Sequence, residues 1–214
     1  LSANLTPLVR SIGQSAMQSA QDVDSAYRDM RKTVNGTESD FEALKQSALD
    51  FSTTHVTSAD QVLSIQAMGG ELGIATDKLD EFAQTVSNVD VATNLSSEDA
   101  ASALGQLSNI TKDTAGNLGG FGDALVRLGN NGASTEEQIV DVAKRIGSMG
   151  SIVGMSTPDI LAWSSTIAST GQNAEAAGTA IAKTMSDIEG AVSSGGDKLE
   201  AFASVAGMSA QGFA

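Results

Sequence analysis

The chain has 214 residues, of which 41% are hydrophobic and 4% aromatic, and its 26 acidic and 12 basic residues give a formal charge of −14. A surface this negative repels phosphate backbones, which argues against direct sequence-specific nucleic-acid binding. The sequence has no cysteine, which excludes disulfides, thiolate metal sites and a cysteine nucleophile, and its single histidine, His55, is too few for a histidine-based metal site.

Apolar residues recur every three or four positions at the start of the chain. The pattern predicts a long helix or coiled-coil strand over residues 1–34, continuing from upstream. The members of this stripe are Val9, Ile12, Ala16, Ala20, Val23, Tyr27, Met30 and Val34.

A first helical subdomain is predicted over residues 35–114. Its helices share one kind of start, a hydroxyl residue followed three positions later by an acid, as in a capping box. These pairs are Thr37 with Asp40, Thr57 with Asp60, and Ser96 with Asp99.

A glycine-rich connection is predicted over residues 115–134. Its first part, AGNLGGFGDAL at 115–125, has a weak similarity to a phosphate loop, but it lacks the Lys-Ser/Thr ending and no strand precedes it. We therefore interpret this stretch as a flexible linkage between helices.

The stretch LGNNGASTEEQI, residues 128–139, looks most like a functional loop. Glu136 and Glu137 suggest acid/base chemistry or a cation site, yet they fit better as first-turn acids of a helix. In that interpretation Gly129 and the asparagines close one helix in left-handed conformations, Ser134 caps the next, and Glu137 completes a capping box. The stretch is then a boundary between helices and binds no ligand.

A second helical subdomain is predicted over residues 135–214. Pro158 fits the first turn of a helix, where its missing N–H costs little. Trp163 shares a stripe with Ile160 and Ile167, so we expect a packing anchor rather than a binding platform. The last predicted core stripe consists of Leu199, Phe202 and Val205.

Three turns resemble one another, each with a glycine, an apolar residue and a small residue ahead of a helix start or near the chain end. They are Leu72-Gly73-Ile74-Ala75, Val153-Gly154-Met155-Ser156 and Ala206-Gly207-Met208-Ser209. The pattern predicts glycine C-caps with a left-handed residue. Because their separations of 81 and 53 positions are unequal, we interpret them as one turn used three times and not as a sequence repeat.

Together these patterns predict an all-α fold, in which a long N-terminal helix is followed by short antiparallel helical hairpins joined by glycine-containing turns. No stretch alternates with period two. The longest uncharged runs fall short of the ~20 apolar residues of a membrane span.

No catalytic, cofactor-binding or metal-binding residues are predicted. A Ser-His-Asp set would have to use His55, and no G-x-S-x-G elbow surrounds a serine. We therefore expect a protein that is not an enzyme and needs no cofactor.

The run from Leu128 onward resembles the core region of tail tape measure proteins of long-tailed phages and phage-derived particles. The matching elements are Leu128 to Asn131, Thr135 to Ile139, Gly154 to Asp159 and Gly171 to Ala180, and residues 70–111 also resemble the family. Ala177 stands where the family often has glycine, and Glu71 where it usually has glutamine. The resemblance covers about residues 30–190.

This resemblance implies a structural role in a virion tail, in the tube lumen or at the tip, after assembly in the host cytoplasm. Tape measure proteins are largely helical, help to set the length of the tail tube, and leave through the tip at ejection. The implied partners are further copies of the chain (a trimer or hexamer), the tail tube and tail tip or hub proteins, tail assembly chaperones, and the host envelope on ejection.

Two other interpretations stay open. The first is a helical cell-envelope-acting effector, peptidoglycan-degrading or pore-forming, because some tape measure proteins carry hydrolase domains elsewhere in their length. The second is a helical signalling or secretion adaptor, although its coiled-coil hairpin would be continuous, whereas glycine turns interrupt this chain.

Overall fold

The computed structural model describes residues 5–111 and 118–214, and the side chains of residues 15–111 and 118–214. These residues form an all-α fold, as predicted, with one short 3₁₀ turn at Thr76–Lys78. The helices are α1 Leu5–Thr33, α2 Glu38–Thr54, α3 Ala59–Glu71, α4 Leu79–Ala92, α5 Ser97–Thr111, α6 Leu118–Asn131, α7 Glu136–Ile152, α8 Thr157–Ala168, α9 Ala174–Ser194, α10 Asp197–Val205 and α11 Ala210–Phe213.

The described residues divide into two compact units. Unit 1 contains residues 5–106 and 118–122, and unit 2 contains residues 107–111 and 123–214. The boundaries that the sequence suggested stay a prediction, but the linkage predicted at 115–134 is wrong over residues 118–131, which form α6.

Burial of its apolar residues stabilises helix α6 in this stretch. Phe121 and Leu125 of α6 are almost fully buried. A Cβ on Gly122 would lie 2.9 Å from Cγ2 of Thr85, so this glycine allows close helix contact instead of chain flexibility.

In unit 1, α3 is the central helix, in contact with α1, α2 and α4. The end of α1 packs on it, since a Cβ on Gly70 of α3 would lie 2.8 Å from Cγ2 of the buried Val34. At the end of α1 the Thr33 hydroxyl donates a hydrogen bond of 2.9 Å to the carbonyl of Ala67. Residues 15–22 of α1, which include Ala16 and Ala20 of the predicted stripe, are all exposed.

In unit 2, α7 has the central position, in contact with α8 and α9. The end of α5 lies against it, because Ser151 Oγ donates a 3.2 Å hydrogen bond to the carbonyl of Ile110. The start of α8 is held to the same end, with Thr157 Oγ1 3.1 Å from Thr111 Oγ1.

The three glycine turns have the predicted geometry. Gly73, Gly154 and Gly207 have φ values of 80°, 82° and 68°. In each turn the following residue donates its N–H to a carbonyl five positions back, over 2.8–2.9 Å. This is the Schellman motif, which satisfies carbonyls at a helix end that would otherwise lack donors.

The similarity between the units extends beyond the turn, so our interpretation of a single reused turn was incomplete. A Cβ on Gly69 would meet Leu79 at 2.6 Å, and a Cβ on Gly150 would meet Ile160 at 2.9 Å. Both pairs are related by the 81-position offset that relates Gly73 to Gly154. The same offset relates further buried pairs, which are Leu44 and Leu125, Ile65 and Ile146, and Val86 and Ile167. The helix–turn–helix arrangement of unit 1 therefore recurs inside unit 2, as in proteins built from tandem repeats.

Helix starts follow the predicted capping chemistry, but some N-caps are shifted by one residue. Thr37 with Asp40 forms a capping box at α2, as predicted. The start predicted at Thr57 is wrong by one residue, because Ser58 is the N-cap of α3 and its N–H donates to Gln61 Oε1 over 2.9 Å. Thr57, one position earlier, is buried.

Two of these caps predict a dependence of stability on pH. Hydrogen bonds from the Thr37 backbone and side chain lower the pKa of Asp40, and those from the Ser156 side chain and backbone lower the pKa of Asp159. Because the folded pKa lies below the unfolded value of about 3.9, this stabilisation is complete above that pH and is lost as the pH falls through the folded pKa. We expect the double variant D40N/D159N to lose less stability than wild type between pH 5 and pH 3.

Urea denaturation followed by circular dichroism at the two pH values measures this difference. The double variant D123N/D141N is the control for net charge, because it removes two exposed carboxylates, one each from α6 and α7, that belong to no cap. An equal loss of stability in D40N/D159N and wild type would contradict the prediction.

Candidate functional site

The LGNNGASTEEQI stretch connects α6 to α7, and Glu136 and Glu137 are first-turn acids of α7 as predicted, but the predicted cap residues are wrong. Helix α6 continues through Asn131, so neither Gly129 nor the asparagines close it in a left-handed conformation. The N-cap of α7 is Thr135, whose Oγ1 accepts from the N–H of Gln138 over 3.3 Å. The predicted cap at Ser134 and the predicted box with Glu137 are therefore both wrong by one residue.

The one-residue shift releases Ser134 and Glu136 for contacts between helices. Ser134 is buried, and its Oγ lies 3.2 Å from Ser165 Oγ of α8. Glu136 is also buried and folds back over α6, where Gly129 has no side chain in its way. The stretch thus connects α6, α7 and α8 through structural contacts. The sequence also predicted a structural role for this stretch, but it assigned that role to other residues.

The other candidate residues do not form a chemical site. Residues 115–117 of the glycine-rich stretch lie outside the described residues, and the rest of it is helical and not a phosphate loop. His55 lies at the end of α2 with its ring stacked on Phe51 at a centroid distance of 3.8 Å. Within the described ranges, no group of three or more His, Asp or Glu side chains is placed to hold a metal ion.

Trp163 does not have its predicted role as a packing anchor. It is 53% exposed, whereas Ile160 and Ile167 of the same predicted stripe are buried. In unit 1 the residue 81 positions earlier, Phe82, is completely buried. The side chains at these equivalent positions of the two units therefore differ in burial.

An open groove lies between α9 and α10 of unit 2. It has a volume of about 520 Å³, and its walls are formed by Lys183, Asp187, Lys198, Ala201, Phe202 and Val205. The Lys183 ammonium pairs with Asp187 at 3.1 Å along one wall. The sequence placed Phe202 and Val205 in a core stripe, which is wrong for Val205, since it is 91% exposed. In the sequence, the turn at Gly207 matches the turn at Gly154, and this match relates α10 to α7.

A family model described as phage-related minor tail protein matches residues 45–213. The chain belongs to this family. The match includes α3 and α4 of unit 1 and nearly all of unit 2, and therefore both copies of the recurring helix–turn–helix arrangement. No curated protein and no solved structure matches the chain.

Family membership gives this minor tail protein a structural role in a phage tail and places it in the virion tail. Its surfaces for neighbouring tail subunits are therefore the functional sites of interest. In the described part of this minor tail protein, no helix is both long and apolar enough to cross a bilayer. Among the described side chains, the α9–α10 groove and residues 15–22 of α1 are two of the surfaces where apolar or small residues lack cover.

Proposed function

We propose that this minor tail protein is a segment of the tail tape measure protein, which helps to set tube length during assembly and stays in the tube or at the tail tip until ejection. The proposal is supported chiefly by the ordered motifs between Leu128 and Ala180, which lie inside the region that matches the tail family. The proposed partners are three or six copies of the chain, the tail tube, the tip or hub proteins, tail assembly chaperones and, at ejection, the host envelope.

The physical properties of α1 support this role. A chain measures length only if it has a fixed rise per residue, and a helix rises ~1.5 Å per residue. Helix α1 has 29 residues, so it spans about 43 Å. Its residues 15–22, about 12 Å of that length, are exposed and can contact other chains.

Tail length in assembled particles tests the proposal. We expect a duplication of residues 5–32, which is four heptads, to lengthen the helix by about 42 Å and the tail by a similar amount. Negative-stain electron microscopy of particles from the complete, modified tail gene measures the change.

A flexible insertion of equal length between Gly195 and Gly196 is the matched control, because it adds residues at a glycine pair with positive φ and no helical rise. Lengthening by the helical duplication alone supports the ruler. Unchanged tails in both cases contradict it, and clearing of peptidoglycan by the purified chain in a zymogram would then favour the envelope-acting alternative.

A further inference from the structure

The chain contains two asparagine–glycine pairs, Asn35-Gly36 and Asn131-Gly132. In such a pair the backbone nitrogen of glycine can attack the side-chain amide carbon of asparagine, because glycine has no Cβ that hinders the approach. All four residues are exposed. Exposure therefore does not distinguish the two pairs, and a difference in their reactivity has to come from the local structure.

The pair Asn131-Gly132 is held in the geometry of a helix end. Asn131 is the last residue of α6, and its Nδ2 donates a hydrogen bond of 2.8 Å to the carbonyl of Arg127. The N–H of Gly132 donates over 2.8 Å to the carbonyl of Leu128. Attack at Asn131 would therefore break two hydrogen bonds, one at the attacking nitrogen and one at the leaving amide.

The pair Asn35-Gly36 has neither of these restraints. It lies outside the helices, in the connection of residues 34–37 between α1 and α2. Among the described residues, none bonds to the side-chain amide of Asn35, whose backbone carbonyl accepts from Thr76 Oγ1 over 2.5 Å. Within the same ranges the N–H of Gly36 donates to no carbonyl. Both reacting groups at this pair are thus exposed to water and held by no bond that the reaction would have to break.

We propose that Asn35 is a site of spontaneous deamidation in the folded chain. Hydroxide removes the proton of the Gly36 N–H, the nitrogen bonds to Cγ of Asn35, and the amide nitrogen leaves as ammonia with a proton from water. The product is a succinimide ring, which water hydrolyses. Opening at Cγ yields aspartate, and opening at the main-chain carbonyl yields isoaspartate. Water is the only co-reactant, so the reaction requires no partner and does not depend on the proposed function.

Isoaspartate adds a methylene to the backbone between two residues that are fixed in unit 1. On one side Val34 is buried, and a Cβ on Gly70 of α3 would lie 2.8 Å from its Cγ2. On the other side Thr37 is the N-cap of α2. A connection this short has to displace one of these contacts to accommodate the extra atom. We therefore expect the isoaspartyl form to hold α1 less firmly on α3.

Peptide mapping by mass spectrometry after incubation at pH 8 measures both pairs in one sample, because trypsin places them in separate peptides, residues 33–45 and 128–144. Since two hydrogen bonds protect Asn131, we expect deamidation at Asn35 to be at least about tenfold faster in the folded chain. In urea that unfolds the chain we expect similar rates, because both asparagines then precede an unstructured glycine. The variant N35Q is expected to show no conversion in residues 33–45, because glutamine would have to close a larger ring. Equal rates at the two pairs in the folded chain, or a faster rate at Asn131, would overturn the proposal.

Urea denaturation of the aged protein tests the structural consequence. Anion-exchange chromatography separates the deamidated chains, because each has gained a negative charge, and we expect them to unfold at a lower urea concentration than fresh wild type. The matched control is freshly prepared N35D, which has the same added charge but no extra methylene, and it is expected to unfold close to wild type. Deamidated chains that contain isoaspartate at position 35 and are as stable as N35D would overturn the proposed loosening of α1.

Discussion

Replacement of Phe82 by alanine lowers the free energy of unfolding of unit 1 by about 3–5 kcal/mol, whereas W163A lowers that of unit 2 by less than about 1 kcal/mol. The two residues occupy equivalent positions, 81 apart, but Phe82 is fully buried and Trp163 is 53% exposed. The larger cost at Phe82 combines lost burial of the ring with the cavity that remains. At Trp163 about half of the side chain is already in water, so its removal loses less burial and leaves no enclosed cavity.

Urea denaturation followed by far-ultraviolet circular dichroism measures both values. The single tryptophan lies in unit 2, so its fluorescence in F82A shows separately whether unit 2 keeps its own stability. Equal losses for F82A and W163A would mean that Trp163 is buried in the chain in solution, and would remove the contrast between the two units.

The substitution G69V lowers the free energy of unfolding by about 2–3 kcal/mol. A Cβ at this position would lie 2.6 Å from Cδ2 of Leu79 and 2.9 Å from Cδ1 of Phe82. Both neighbours are completely buried and have little space into which to move. The helices would therefore have to separate, which weakens the contact of α3 with α4.

The matched variant is G190V, in α9. A Cβ on Gly190 meets no atom within 4 Å, so we expect no loss and a gain of a few tenths of a kcal/mol from better helix propensity. Chemical denaturation of both variants measures the difference. A G69V protein as stable as G190V would show that α3 and α4 are not packed as closely as the contact at Gly69 requires.

Local signals in the sequence predicted most of the helices and all three glycine turns. The hydrogen bonds of these three Schellman endings lie within six consecutive residues, so neighbouring positions were enough to predict them. The caps at Thr37 and Ser156 are equally local. The predictions failed by one residue at Ser134 because Ser134 and Thr135 are both good caps, and contact with Ser165, far along the chain, decides between them.

Glycine occurs both in turns and at close contacts between helices, and the sequence did not distinguish these two settings. Gly119 and Gly122 suggested a linkage, but both lie in α6. Gly122, like Gly69 and Gly178, marks a place where one helix touches another, and the partner side chains are 37, 10 and 33 positions away in Thr85, Leu79 and Arg145. Periodicity within a helix contains no information about such distant neighbours.

The sequence by itself determined the all-α class, the positions of the turns and the motifs typical of a tail protein, because each depends on residues within about one helical turn or on their order along the chain. Only the tertiary structure decided which apolar stripes are covered. Phe82 and Trp163, or Met30 and Ala20, are equally apolar by pattern, but burial depends on which helix packs over that face. Where no helix of the same chain does so, as at Met17 of α1 and Val205 of α10, apolar side chains stay exposed.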